Sequence, residues 1–375
     1  MNLAAAGLLY DMAELQPTPR SQFGYKRAAK AIVYLPMPVT DLVAAGTLGE
    51  IPYIGPASTR IVTEFVQQGT SPTVEAAFAK SGSKGAAAAS KRAYRENYLS
   101  HFLMAQALAQ PMDPAIVTQG HYRGDFQMHS TWSDGGERIG TMVEAALALG
   151  HSCLGITDHS YGLPIASGMS MEQASKQWKE IDTLNERYWG RFRVFKGIEA
   201  NILADGRLDL QADEGAQFEF IVASPHSVLR KTEDQTSRMT TAVKTPGVAI
   251  LGHPRGRMFN SRPGVSADWD AVFEVAAQHE VAIELDGNWH RQDIDYVLAR
   301  RALEVGCLFA LDSDAHSTTE LRFSEYAIAH ARLARIPAER VINCWSDARL
   351  ETWMRGRHGR RQNTAKPGRV RRGRP

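Results

Sequence analysis

Cysteine is scarce in this chain: three in 375 residues, at positions 153, 307 and 344, and no CxxC pair. That spacing excludes a disulfide framework and a cysteine-rich zinc finger. It predicts buried thiols in a reduced compartment, so a cytoplasmic location is expected. Long apolar runs are missing too. Nothing approaches the roughly 18 consecutive apolar residues of a membrane span, which excludes that architecture and predicts a soluble protein. Residues 1–10 are apolar but lack a basic leader and a small-residue cleavage site, and are read as the start of a helix. Acid is absent from residues 355–375, which hold nine of the 43 Lys and Arg and leave 34 against 41 acidic residues elsewhere. This basic stretch has too few apolar residues to fold alone, and such tails often meet nucleic acid through phosphate charge.

What is present is enough for a large core: 43% of residues are hydrophobic, and the length leaves room for a second, smaller domain. Residues 3–33 show helical spacing at Ala4, Leu8 and Met12, and again at Ala28, Ala29 and Ile32, around a loop with Pro17 and Pro19. Another helix is predicted from Thr40 and Asp41, good N-cap types. Between Ile51 and Ile61 a turn with Gly55 and Pro56 opens a further helix. Glycine permits positive φ there, and the exposed helix-start amides suit a phosphate. Residues 1–80 are thus read as a small all-α domain and 81–117 as an Ala-, Gly- and Ser-rich helical connector.

Beyond Gly120, strand-like runs alternate with helical stretches. The predicted strands cover residues 125–129, 153–157, 193–197, 218–223, 249–252, 281–285 and 307–311, with 340–343 as an eighth candidate. The predicted helices cover 138–149, 171–188, 269–279, 293–305 and 319–333. Repeated βα units predict a parallel sheet, and about seven units in this length favour a distorted (β/α)7-type barrel over residues 118–345. Residues 346–375 are read as a helix end and a disordered basic tail.

Chemistry collects just past the strand ends. In order come His129 and Asp134, Asp158 and His159, Glu199, His226, His253, and Asp314 with His316. Imidazole and carboxylate donors together suit Zn, Mn or Fe, and a carboxylate bridges two ions, so this many donors imply more than one metal. Bound ions would lower the pKa of water from about 15.7 toward about 7 and neutralise charge developing on a phosphoryl group. Five of these positions are histidines at strand ends, which packing alone does not explain. His101, His121, His151, His279, His290, His330 and His358 are instead read as surface or satisfied core residues. Asp158 and Asp312 are read as orienting imidazoles or stabilising turns.

The segments Gly124-Asp-Phe-Gln-Met-His-Ser-Thr-Trp-Ser-Asp-Gly135, Gly155-Ile-Thr-Asp-His-Ser160, Gly197-Ile-Glu-Ala-Asn201, Ser224-Pro-His-Ser227, Gly252-His-Pro254 and Asp312-Ser-Asp-Ala-His316 resemble the PHP (polymerase and histidinol phosphatase) superfamily. The resemblance covers about residues 118–345. It implies a metal-dependent phosphoesterase with two or three divalent ions, Zn or Mn, and possible Fe. His129, Glu199 and Asp314 would hold one ion, and Glu199 would bridge to a second held by His226 and His253. Asp134, His159 and His316 would hold a third. His129, Glu199 and His226 are taken as catalytic. Where the family has the first histidine of His-x-His this chain has Gln127, a weaker ligand for zinc through its carbonyl oxygen.

Residues 1–80 resemble the helix-hairpin-helix domain of bacterial family X DNA polymerases, although Tyr53 and Thr59 stand where that hairpin has a glycine and an alanine. Residues 80–120 leave no room for the nucleotidyl-transfer domain of those polymerases, so DNA synthesis is not expected. The resemblance points to DNA as partner, with Gly55 and Lys26, and also Arg27 and Lys30, as contacts. Arg255 and Arg257 are candidates for holding a substrate phosphate through bidentate hydrogen bonds. The expected activity is 3′–5′ exonuclease or end processing in DNA repair. The alternatives are a small-molecule phosphomonoesterase of histidinol-phosphatase type and a non-catalytic, metal-stabilised DNA-binding protein.

Overall fold

The computed structural model describes residues 1–35, 37–96, 98, 104, 107, 109–110 and 113–359. Six helices open the chain: α1 (Asn2–Leu15), α2 (Pro19–Val33), α3 (Val39–Ala45), α4 (Pro56–Gln68), α5 (Pro72–Ala79) and α6 (Ser83–Glu96). Thr18 and Ser71 cap α2 and α5 by accepting from backbone N–H groups in the first turn, each just before a proline whose missing N–H costs the helix nothing. Thr40 and Asp41 lie inside α3 rather than at its cap. The Val39 N–H is satisfied by the Asn2 side chain at 2.8 Å.

Helix α1 is buried nearly all round, through Leu3, Ala5, Ala6, Leu9, Met12 and Ala13, because it is the central element on which α2, α4, α5 and α6 pack. Its one buried acid, Asp11, is paired with Arg92 (2.6 Å) and Arg95 of α6. The alanine-rich connector is therefore a docked helix. Its far end reaches the second unit: the Tyr94 hydroxyl donates to the Met258 carbonyl at 2.7 Å, Arg95 donates to Asn260 Oδ1 at 2.9 Å, and Tyr98 packs edge-on against Phe259.

The turn before α4 corrects one expectation. Gly55 has φ −88° and needs no glycine freedom, whereas Tyr53 has φ 73° and carries the left-handed conformation. The Arg27 guanidinium lies 3.7 Å over the Tyr53 ring, which gives that side chain a packing partner.

Seven parallel strands follow: β1 (Gly124–Asp125), β2 (Cys153–Ile156), β3 (Arg193–Asn201), β4 (Phe220–Ser224), β5 (Val248–Leu251), β6 (Ala282–Asp286) and β7 (Leu308–Asp312). Each pairs with the next in chain order, the arrangement that right-handed βα units generate. Side chains alternate along a strand, so Phe195 and Glu199 of β3 share a face, as do Phe220 and Val222 of β4, and Ala282, Glu284 and Asp286 of β6. The barrel interior thus has an apolar floor, including Phe126, Phe195 and Phe220, each worth about 1.5–3 kcal/mol on burial, and a rim of carboxylates and imidazoles.

The ring closes without a continuous ladder between β7 and β1. Met128 bridges Ala315, the Phe126 N–H donates to Asp312 Oδ1 at 2.7 Å, and the Ser313 N–H donates to Asp125. Residues 340–343, a candidate eighth strand, instead fall in two short 3-10 turns (Ala338–Arg340 and Ile342–Cys344), with Val341 between them making a single parallel bridge to Phe309. The reason is the Asn343 side chain: its amide donates to the carbonyls of Gly124 and Leu311 and accepts from the Leu311 N–H at 2.7 Å, replacing a strand edge across the seam. The first part of the basic stretch is helical as well. Helix Asp347–Gly359 seats Trp353 and Met354 under the barrel floor and pairs Arg357 with Glu280. The basic residues beyond 359 lie outside the described region. No helix among the described residues is long and apolar enough to cross a membrane.

Candidate metal centre

All eight donors read from the sequence converge on one rim. The Glu199 carboxylate is its hub: Oε1 lies 2.9 Å from His253 Nε2 and 3.4 Å from His226 Nε2, and Oε2 lies 3.0 Å from His159 Nδ1 and 3.4 Å from His129 Nε2. A second focus is Asp134 Oδ1, which is 3.4 Å from His316 Nε2, 3.6 Å from His159 Nε2 and 3.9 Å from His129 Nδ1. Asp314 Oδ1 lies 3.2 Å from His129 Nε2.

These separations fit metal ions. Two donors about 2.1 Å from one tetrahedral zinc stand roughly 3.4 Å apart. Buried ring nitrogens of His129, His226 and His253 and both side-chain polar atoms of Gln127 have no well-formed hydrogen bond, which is costly in a protein interior unless another partner satisfies them. Two groups of donors are close enough to surround a single ion: His129, Asp134, His159 and His316, and His159, Glu199 and His226.

Local geometry brings the donors inward. His253 and Asp314 have φ of 22° and 51°, conformations that cost non-glycine residues energy and recur where a side chain must be aimed. Gly135 lets the Asp134 loop press on the first strand end, because a Cβ there would fall 2.5 Å from the His129 carbonyl. Asp158 contacts no imidazole through a hydrogen bond. Its buried carboxylate accepts from the Ser130 N–H (2.8 Å), the hydroxyls of Ser130 and Ser133 (2.6 Å each) and the Gln177 amide (2.7 Å), fixing the loop between His129 and Asp134.

Charge follows the same arrangement. Burial alone would raise the Glu199 carboxyl, but the imidazoles around it, through polar contacts from His226 and His253 among other effects, hold it well below the usual carboxylate range. Burial lowers His159 to about 3 and His253 to about 4, keeping both rings neutral and free to offer a lone pair. Deeper in the barrel, burial drives Glu284, Asp286 and Asp125 well above the usual carboxylate range, with neighbouring acids reinforcing it.

Three residues escaped the sequence reading. Glu284 and Asp286 of β6 accept from the N–H groups of His253 and Asn288 (2.6 Å for the latter). Arg291 points into the rim, with Nε 3.0 Å from Asp314 Oδ2 and 3.5 Å from Asp286 Oδ2. Alternating carboxylates at the end of β6 were the available signal.

Two other candidates change role. Arg257 is no phosphate clamp: it is fully buried, and its guanidinium donates to the carbonyls of Arg291 (2.9 Å) and Gln292 and to Asp295. It braces the loop that aims Arg291. Arg255 is partly exposed and shared between Asp295 at 3.6 Å and the Pro263 carbonyl.

A parallel barrel whose strand ends focus imidazoles and carboxylates on one rim is a framework able to hold divalent metal ions. Residues 125–286 match the family described as PHP domain. Over 241 residues it is 35% identical to the DNA polymerase/3′-5′ exonuclease PolX of Bacillus subtilis (strain 168), covering 64% of this chain and 42% of that protein. The chain therefore spans less than half the length of that relative. It is 27% identical over 251 residues to the Probable phosphatase YcdX of Escherichia coli O81 (strain ED1a), covering 63% of this chain and 95% of that one. The crystal structure of histidinol phosphate phosphatase from Lactococcus lactis subsp. lactis Il1403, complexed with zinc, L-histidinol and phosphate, aligns with a TM-score of 0.40 at 16% identity, over 56% of this chain and 94% of that one.

Proposed function

We propose that the chain hydrolyses phosphate esters at DNA ends, as a 3′–5′ exonuclease or end-processing enzyme, using divalent Zn or Mn held by donors of the rim. The observation that carries this reading is where the helical unit docks. Tyr34, just past α2 and 59% exposed, packs 5.7 Å from Trp289 and 5.4 Å from His290, the residues that immediately precede Arg291 of the rim. Lys26, Arg27 and Lys30 lie exposed on the same helix, so a cationic face lies on the helix whose end docks beside the loop that leads to Arg291. Aromatic rings and cations side by side suit a nucleic-acid strand.

When bound, the ions lower the pKa of water and neutralise charge on phosphoryl oxygens. The chain's own residues fix where this happens. Glu199 sits among four imidazoles, His159 is common to the two compact donor groups, and His129, Glu199 and His226 are the residues assigned to the chemistry. A second reading, hydrolysis of small phosphate monoesters, is favoured by the match that runs along 95% of a probable phosphatase and 63% of this chain.

The test is a panel of 3′-hydroxyl, 3′-phosphate and gapped DNA beside small monoesters, given to the metal-loaded full chain and to Tyr34→Ala and Lys26→Ala/Lys30→Ala variants. DNA-end cleavage whose KM rises in the variants while monoester turnover holds is expected. Efficient monoester turnover with no action on any DNA end overturns the DNA reading.

A further inference from the structure

The rim departs from an all-metal design at one corner. The family resemblance brings His129, Glu199 and Asp314, with a histidine in place of Gln127, around one ion. Here Gln127 is completely buried and offers an amide that is a poor match for zinc. His129, Glu199 and Asp314 are also not among the donor groups compact enough to surround one ion; the two such groups among the described residues lie toward Asp134 and toward His226. Of the two Asp314 oxygens, one faces His129 at 3.2 Å while the other is 3.0 Å from Arg291 Nε.

Arg291 is built in. Its side chain is mostly buried, it faces Asp286 as well as Asp314, and Arg257 grips the carbonyls of Arg291 and Gln292 from behind. A guanidinium stays charged at any physiological pH and presents a fixed planar fork to carboxylates. Without a cation, the buried Asp314 carboxylate that faces Arg291 would leave uncompensated negative charge in a low-dielectric interior.

We propose that Arg291 supplies, as a permanent side-chain cation, the charge that an ion beside Gln127 and Asp314 would otherwise provide, so that the rim binds two divalent ions and not three. One ion belongs with His129, Asp134, His159 and His316, and the other with Glu199, His226 and His253, His159 lying between them. Gln127 and Arg291 form a matched pair: the weak ligand is tolerated because the cation is already present. The inference rests on the reading of the rim as a metal centre.

The test counts ions. The full chain is saturated with Zn or Mn, exchanged into metal-free buffer, and measured by native mass spectrometry and elemental analysis. Two ions per chain are expected for the natural sequence and for Gln127→His, in which Arg291 still occupies the corner. Gln127→His combined with Arg291→Ala is expected to bind a third. If that variant does not fold, Gln127→His with Arg291→Met and Asp286→Asn, which removes one unpaired acid together with the cation, takes its place. Three ions in the natural sequence, or no gain in a folded double or triple variant, overturns the proposal. Zero ions in the natural sequence overturns the metal-centre reading itself, a distinguishable failure.

Discussion

The Nε2 of His253 and the Oε1 of Glu199 stand 2.9 Å apart inside the barrel, both residues inaccessible to solvent. Glu199 serves both halves of the rim, since its other oxygen faces His129 and His159. Glu199→Gln keeps the shape but removes the charge that lets one side chain face four rings. Phosphoesterase activity is expected to fall by more than the roughly 10–100-fold typical of losing a supporting residue. Elemental analysis is expected to show ion loss as well. Retention of full ion content and activity would show that Glu199 is not the hub.

Ion removal is expected to lower stability. Each bound ion at about 100 times its Kd adds about 2.7 kcal/mol, so treatment with a chelator should lower Tm by roughly 5–10 °C per ion for a domain of this size. Adding back Zn or Mn should restore it. Calorimetry of the treated and reloaded chain reads this directly, and an unchanged Tm would contradict ion binding at the rim.

Asp158→Asn should weaken ion binding without touching an ion. Its carboxylate receives four hydrogen bonds from Ser130, Ser133 and Gln177, and an amide cannot accept all of them. Loss of roughly 10–100-fold in ion affinity is expected, measured by competition with a chromogenic chelator. Glu199→Gln should lose more.

His330 gives a pH signature remote from the donors. Its Nδ1 accepts from the Tyr296 N–H at 3.1 Å and its Nε2 donates to Gln292 Oε1 at 3.0 Å, an arrangement that needs the neutral ring. Burial, reinforced by the Arg257 charge, lowers it to about 3. The unfolded chain takes up this proton near pH 6.5, so between those values the unfolded state binds more protons and stability falls as pH falls. Above about pH 6.5 the group contributes no slope. Denaturant unfolding at stepped pH should show a shallower acid slope for His330→Gln than for the natural sequence; equal slopes would refute the assignment.

Much of the rim was legible because six strand ends repeat one chemical theme, and alternation along a strand aims Glu199 and its neighbours inward whatever the loops do. Arg291 was not legible: it is delivered by an irregular loop whose position depends on Arg257, far away in sequence. The same blindness misassigned Arg257, since an arginine after a Gly-His-Pro turn looks identical whether it faces substrate or the backbone of another loop. Residues 340–343 have the composition of a strand, and only the barrel seam shows why a single amide at Asn343 does that work. The left-handed turn at Tyr53 was expected at Gly55 because glycine is the usual carrier; a cation stacked on the ring takes the place of that preference.

The Asn343 amide has a consequence for the order of synthesis. One hydrogen bond to Gly124 of the first strand and two with Leu311 of the last come from this residue, and its Nδ2 also bonds Asp312. That amide latch therefore forms only after the chain has been elongated past that residue. A stop upstream of position 343 would leave every proposed ligand in the chain and the seam held only by the contacts of Met128 with Ala315, Phe126 with Asp312 and Ser313 with Asp125.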